Sequence, residues 1–275
     1  MTTPTIFLFD NGSLRPQATL GLRRLAKALS CRIALPVEAV SLLHSHTIKA
    51  DKLNGIPATI VKRRLRECLA AGQCEFICLP LFLGPSLAIT DYLPLVVDEL
   101  SSEYPELKVR IASVLAGEDL GVPDPRLAQI LADQVRALQP SPCTKVALID
   151  HGTPVVEVNR VRNAVARQLA RELDIPVVLP CSMERRDGSA YAFNDPLLEK
   201  LGAVDDFAGG HLILAMFFLL PGRHAGEGGD VAKICDELIA EGIFEQIQST
   251  PLLGEHPMLL EILEDRVRDI MSCKI

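Results

Sequence analysis

A chain of 275 residues, 48% hydrophobic and 23% charged, has the length of about two ordinary domains and ample apolar surface for a core. Its formal net charge of -7 argues against a general binder of nucleic acid or anionic membrane, but leaves room for a local basic pocket. The longest apolar runs, around Phe76 to Phe82 and Leu212 to Leu220, are too short to cross a bilayer, and no basic-then-apolar leader opens the chain. The 8 cysteines are scattered without a C-x-x-C pair. Cys74 and Cys78 give a weak metal signal and read better as small core residues in a reducing compartment, so the expected location is cytoplasmic.

In chain order, Thr5 to Phe9 reads as a strand ending in Asp10-Asn11-Gly12-Ser13, and Leu20 to Leu29 as a helix with Leu22, Leu25, Ala26 and Leu29 on one face. A strand is expected over Ile33 to Val40, a helix over Ile56 to Ala71 stopped by Gly72, and a buried strand over Phe76 to Leu83. Tyr92 to Tyr104 is helical, Val109 to Ser113 a strand and Arg126 to Leu138 a helix. Gln139-Pro140-Ser141-Pro142 is a linker by composition, after which the pattern restarts. Val146 to Ile149 is a strand, Val158 to Leu173 a helix, Val177 to Cys181 a strand and Pro196 to Leu201 a short helix. Leu212 to Leu219 is a strand, and Val231 to Glu241 and Leu259 to Met271 are helices. Alternating strands and helices imply parallel, helix-covered sheets.

The two halves are copies. Ile6 to Ser13 (IFLFDNGS) matches Val146 to Thr153 (VALIDHGT), and Cys78 to Pro85 matches Leu214 to Pro221. Asp91 matches Asp230, and Ser113 to Leu138 matches Thr250 to Ile270. Four matches in the same order define a tandem duplication, with domains expected at 1–139 and 143–275. The differences are then informative. Asn11 stands where the second half has His151, and Ala88 where it has His224. Both histidines fall just beyond buried strands, where open α/β sheets bind ligands.

Strand-H-G-[ST], a second strand running into P-G-x-H before a helix opened by Asp, and the P-x-L-G-x-x-P ending resemble the class II tetrapyrrole chelatases. The likeness is greatest to the sirohydrochlorin chelatases of the cobalamin and siroheme pathways. It spans nearly the whole chain and is carried by His151-Gly152-Thr153, Phe218 to His224 and Leu252 to Val267. It implies a chelatase-like α/β fold of two tandem flavodoxin-like domains, facing each other across a cleft. It also implies ATP-independent insertion of a divalent metal, itself a substrate, into sirohydrochlorin or a related polycarboxylate tetrapyrrole. Cobalt or iron is expected, nickel is a further candidate, and no organic cofactor is implied. The chain departs from the long two-unit members, in which the histidine pair is expected in the first half; here it lies in the second, as in protoporphyrin ferrochelatases.

By that resemblance His151 and His224 are the metal ligands, and Glu184 joins them as a catalytic carboxylate. The residue types suit metal transfer, because imidazoles hold a divalent ion without the grip of four thiolates and, as a class, accept protons near neutrality. A polyacid needs cationic clamps, for which Arg223 is the first choice and Arg160 a second, with Arg162, Arg185 and Arg186 nearby. Thr153, at a helix start, is a carboxylate receptor or a plain cap. Asn11, Ser13 and Ser86 are expected to line the opposite wall from the first half. Asp150 is either a partner that orients His151 or a turn former, since Asp10 occupies the same place beside Asn11. His44 and His46 are a weak candidate for metal entry; His211 and His256 read as structural. A monomer suffices for the tandem form, with a homodimer also open. The rival readings are a non-catalytic tetrapyrrole or metal carrier and a protoporphyrin ferrochelatase. The second is disfavoured by the absence of Trp and by only 4% aromatic residues.

Overall fold

The structure, a computed structural model, describes residues 4–272. The first repeat runs β1 (Thr5–Asp10), α1 (Pro16–Ile33), β2 (Val37–Ser41), α2 (Val61–Ala70), β3 (Glu75–Pro80), α3 (Leu93–Glu103), β4 (Lys108–Ile111) and α4 (Pro125–Ala137). The second runs β5 (Lys145–Asp150), α5 (Val156–Leu173), β6 (Leu179–Ser182), β7 (His211–Met216), α6 (Asp230–Ala240), β8 (Gln246–Ser249) and α7 (Met258–Ser272). Each repeat builds one four-stranded, all-parallel sheet, ordered β2-β1-β3-β4 and β6-β5-β7-β8. The central strands are apolar on both faces: Ile6, Phe7, Leu8 and Phe9 are fully buried, as are Ala147, Leu148 and Ile149. That is the signature of a sheet covered by helices on both sides.

The compact units are not the sequence repeats. One unit is the chain up to Glu118 together with the chain from Leu260; the other is Asp119–Leu259. The last helix of each repeat therefore belongs to the unit built on the other repeat's sheet. In the first unit Phe7, Phe9, Val40, Phe76 and Cys78 pack with Val61, Leu65, Leu93, Val96 and Leu100 on one side of the sheet. There α7 is fixed through Arg266, which donates to the carbonyl oxygens of Val114 and Leu115 at 3.0 and 2.9 Å. In the second unit Ile149, Cys181, Leu212, Leu214 and Met216 pack with Val231, Cys235, Leu238, Leu198 and Leu201. There α4 lies against α5 and β7. Its Gln134 donates to the carbonyl oxygen of Leu252 at 3.4 Å, the counterpart of the Arg266 contact under the repeat alignment.

Several expected elements shift for local reasons. The strand expected from Ile33 begins at Val37, because α1 runs on to Ile33 and Ala34 stops it in the left-handed region at φ 54°. The helix expected from Ile56 begins at Val61: Pro57 pushes Ile56 towards extended backbone, and Ile56 is exposed. The strands expected to reach Leu83 and Leu219 end at Pro80 and Met216, where their ladders to the central strands β1 and β5 run out, two residues beyond the last pairs with β4 and β8. β8 itself, Gln-Ile-Gln-Ser, has a single apolar residue and no sequence signal. Between β6 and β7 the second repeat has no counterpart of α2. It has two short 3-10 turns, Ser189–Asn194 and Leu198–Ala203, and the second replaces the short helix expected over Pro196 to Leu201. Among the described residues no helix is long and apolar enough to cross a membrane.

Candidate metal centre

The site begins with a glycine. Gly152 has φ +93°, and a Cβ there would fall 1.8 Å from the carbonyl oxygen of Glu184. Only glycine lets the turn after β5 press against the chain leaving β6. The amide of Glu184 then donates to the carbonyl of His151 at 3.2 Å, and that of Met183 to the Asp150 carbonyl at 2.8 Å. His151 and Glu184 thus become neighbours. Gly12 repeats the device, its Cβ position 1.8 Å from the Leu43 carbonyl oxygen, so the first unit sets Asn11 beside Leu43 where the second sets His151 beside Glu184.

His224 comes from the loop after β7. Gly222, Gly226, Gly228 and Gly229 surround it, and its carbonyl accepts from the Val231 amide at 3.1 Å in the first turn of α6. The two imidazoles meet edge to face, ring centres 4.5 Å apart and planes inclined at 66°. His151 Nδ1 lies 3.0 Å from the Gly152 carbonyl oxygen, an acceptor only, so that nitrogen carries the proton. His224 Nδ1 lies 2.8 Å from Asp230 Oδ2 and donates likewise. In both rings the lone pair is left on Nε2, the arrangement of a metal-ligating histidine with its second hydrogen bond in place. Glu184 Oε1 stands 3.4 Å from His151 Nε2. A ring nitrogen and a carboxylate oxygen at that spacing can share a proton or a metal ion. Among the described residues no group of three or more His, Cys, Asp or Glu side chains is placed to hold a metal ion; the arrangement is a pair of imidazoles with one carboxylate beside it.

Behind the His151 turn lies a buried polar cluster that the sequence does not announce. Arg162, 1% exposed, donates to the Ser182 hydroxyl and to the Asn194 carbonyl, the latter at 2.9 Å. Ser182 donates to Asp150 Oδ1 at 2.6 Å, which also accepts from the Gly152 amide at 3.1 Å. Burial pushes the Asp150 carboxyl up, against the pull of Arg162, Ser182 and that amide. Arg162 is therefore not a substrate clamp. Asp230 is legible in the sequence only as a helix opener, yet it holds His224. Its own desolvation raises its carboxyl, but hydrogen bonds from His224 and Lys233 outweigh this and hold it below the usual value.

The remaining candidates are placed as follows. Arg223 is exposed, with Nε 3.4 Å from Asp230 Oδ2 beside His224. Arg160 is exposed, 4.0 Å from Glu157. Arg185 pairs with Asp195 at 2.8 Å, and Arg186 lies over the Tyr191 ring at 5.8 Å. The Thr153 hydroxyl accepts from the Val155 amide at 3.0 Å and its own amide donates to Asn194 Oδ1 at 3.0 Å, so this turn is internally satisfied. Asn11 and Ser13 follow β1 and Ser86 follows β3 in the first unit. Ser13 Oγ accepts from the Arg15 amide at 3.1 Å, as Thr153 does from Val155, and Ser86 Oγ is buried with no hydrogen-bond partner among the described residues. His211 and His256 approach Glu245 and Asp133 at 3.8 and 3.7 Å. Cys78 is wholly buried, its thiol pushed up to about 12 by desolvation, a core residue rather than a ligand.

Two parallel sheets in tandem, with an imidazole pair at the strand ends of one, define a chelatase-like protein. The CbiX family model matches residues 5–138 and 145–270, and the chain belongs to the CbiX family. Among solved structures, SirB from Bacillus subtilis with Fe3+ superposes with a TM-score of 0.71 at 15% identity, covering 98% of this chain and 96% of that one. The sirohydrochlorin chelatase SirB from Bacillus subtilis subspecies spizizenii in complex with cobalt gives 0.69 at 13% identity, covering 98% and 95%. CbiX, described as the terminal enzyme for siroheme biosynthesis in denitrifying bacteria, gives 0.56 at 16% identity, covering 98% and 100%. These likenesses are of fold. A sequence comparison with curated proteins finds no match.

Proposed function

We propose that the chain inserts a divalent metal ion, cobalt or iron with nickel as a further candidate, into sirohydrochlorin or a related polycarboxylate tetrapyrrole, without ATP. The observation that carries the reading is the pairing of His151 and His224, ring centres 4.5 Å apart, each with Nδ1 donating and Nε2 left for an ion. Two imidazoles and Glu184 occupy part of a coordination sphere and leave the rest for pyrrole nitrogens. Neutral nitrogen donors bind first-row ions without the irreversibility of a thiolate cage. As the metal moves to the macrocycle the two pyrrole protons must leave; a vacated Nε2 and the Glu184 carboxylate are the acceptors at hand. Family membership and the metals named in the SirB structures, Fe3+ and cobalt, support the same assignment. Arg223, exposed beside His224, is the proposed contact for a peripheral carboxylate.

The test is a spectroscopic assay of metal insertion into sirohydrochlorin with cobalt, iron and nickel in turn. His151→Ala and His224→Ala are each expected to lower the rate by about a hundredfold or more. Full activity in both variants would overturn the site, and a wild-type rate no faster than the uncatalysed one would make the protein a carrier.

A further inference from the structure

The duplication supplies an internal control for what surrounds the histidines. Asp10, Gly12 and Ser41 of the first unit are the counterparts of Asp150, Gly152 and Ser182 in the second, and α1 and α5 are both 18 residues long. At the position of Arg162 on α5 the first repeat has Leu22, also buried. Where Asn194 reaches the second turn, the first repeat has the chain that leads to α2. The unit with the imidazoles thus carries two buried polar side chains that the unit without them replaces.

Their contacts converge on one place. Asn194 is fully buried and grips Thr153 from both sides: its Oδ1 accepts from the Thr153 amide at 3.0 Å, and its Nδ2 donates to the Thr153 carbonyl at 2.9 Å. Arg162 in turn holds the backbone of Asn194 and Phe193, at 2.9 and 3.4 Å, and the Ser182 hydroxyl behind Asp150. The segment 183–194, which starts with Met183 and Glu184, is thereby tied at its far end to the His-Gly-Thr turn that it already touches at its near end. We propose that Arg162 and Asn194 are positioning residues for the metal centre, fixing the separation of His151 and Glu184 so that the ion meets a preset pair. Neither side chain touches the ion. This rests on the reading of His151, His224 and Glu184 as the metal site.

The experiment is a titration of the full-length protein with cobalt(II) chloride alone, followed by the visible d–d absorption of the bound ion, alongside the insertion assay. The variants are Arg162→Leu, Arg162→Lys, Asn194→Ala and, as reference, His224→Ala. The first unit shows the Asp-Ser-Leu combination in a folded sheet, so Arg162→Leu has a precedent within the chain; circular dichroism and melting verify each variant. Arg162→Leu and Asn194→Ala are expected to weaken cobalt binding about tenfold or more and to alter the absorption envelope, with KM for the metal rising more than kcat falls. Arg162→Lys, which keeps the charge but loses the fork, should recover part of the affinity. Folded Arg162→Leu and Asn194→Ala proteins that bind cobalt within about twofold of wild type, while His224→Ala does not bind, would overturn the positioning role and leave the metal site standing. If Arg162→Leu does not fold, Asn194→Ala and Arg162→Lys decide by the same criterion. Unchanged binding in His224→Ala would sink the metal site and this role together.

Discussion

His224 donates from Nδ1 to a carboxylate, while His151 donates to a backbone carbonyl. The first partner can be changed without touching the fold of a strand. Asp230→Asn keeps an acceptor oxygen but removes the charge that makes His224 a better donor to an ion. It is expected to weaken cobalt affinity or insertion by about 10- to 100-fold, read by titration and by the rate assay. A carboxylate of the first unit offers a pH test of its own. Burial pushes the Asp10 carboxyl up despite hydrogen bonds from Ser41 and the Gly12 amide, and its Oδ1 has no hydrogen-bond partner among the described residues. A carboxyl raised in the folded state contributes stability that is fully present below its unfolded value, about 3.9. That stability is lost as the pH climbs through the raised value. Asp10→Asn, neutral at every pH, should therefore raise the melting temperature at pH 7 by about 2–4 °C for each kcal/mol recovered. The gain should shrink towards zero as the pH is lowered below the carboxylate range. A melting curve at pH 7 no higher than wild type would contradict it.

At the scale of strands and helices the sequence is most readable where burial leaves a continuous mark. Val146 to Ile149 and Phe76 to Leu79 are apolar because helices cover both faces, and no other role explains such runs so simply. β8 is invisible because an edge strand of four residues needs little apolar surface, here a single, partly buried Ile247. The helical stripes of α4 and α7 are plain, but a stripe says that a helix is covered and not by which sheet; their exchange between repeats leaves no periodic trace. Arg162 escapes a reading of the sequence for a related reason. The stripe Val161, Val165, Leu169 and Leu173 looks like the whole apolar side of α5, whereas Arg162 and Ala166 are buried beside it. The histidine pair is legible through the contrast with Asn11 and Ala88. Asp230 is visible only as a match to Asp91, since spacing along a glycine-rich loop does not reveal which side chains meet.

For the molecule as a whole, the compact units predict which pieces can stand alone. α4 contributes Leu127, Ile130, Leu131 and Val135, all fully buried, to the second unit. At about 1.5–3 kcal/mol each, they amount to about 6–12 kcal/mol, comparable with the whole stability of a domain. A fragment of residues 119–259 should therefore melt cooperatively and at a higher temperature than a fragment of residues 143–275, which holds the complete second repeat but leaves α4 behind. Calorimetry on the two fragments checks this, and the opposite ranking would show that α7 can take the place of α4.

The exchanged helices also bear on why a half without the counterpart of the His151–His224 pair persists. The stretch up to residue 139 has Asn11 and Ala88 at the matched positions, yet it supplies α4, the roof over β7. Trimming the gene to the second repeat would strip that roof away, and the shortened product would have to borrow one from a second molecule of itself.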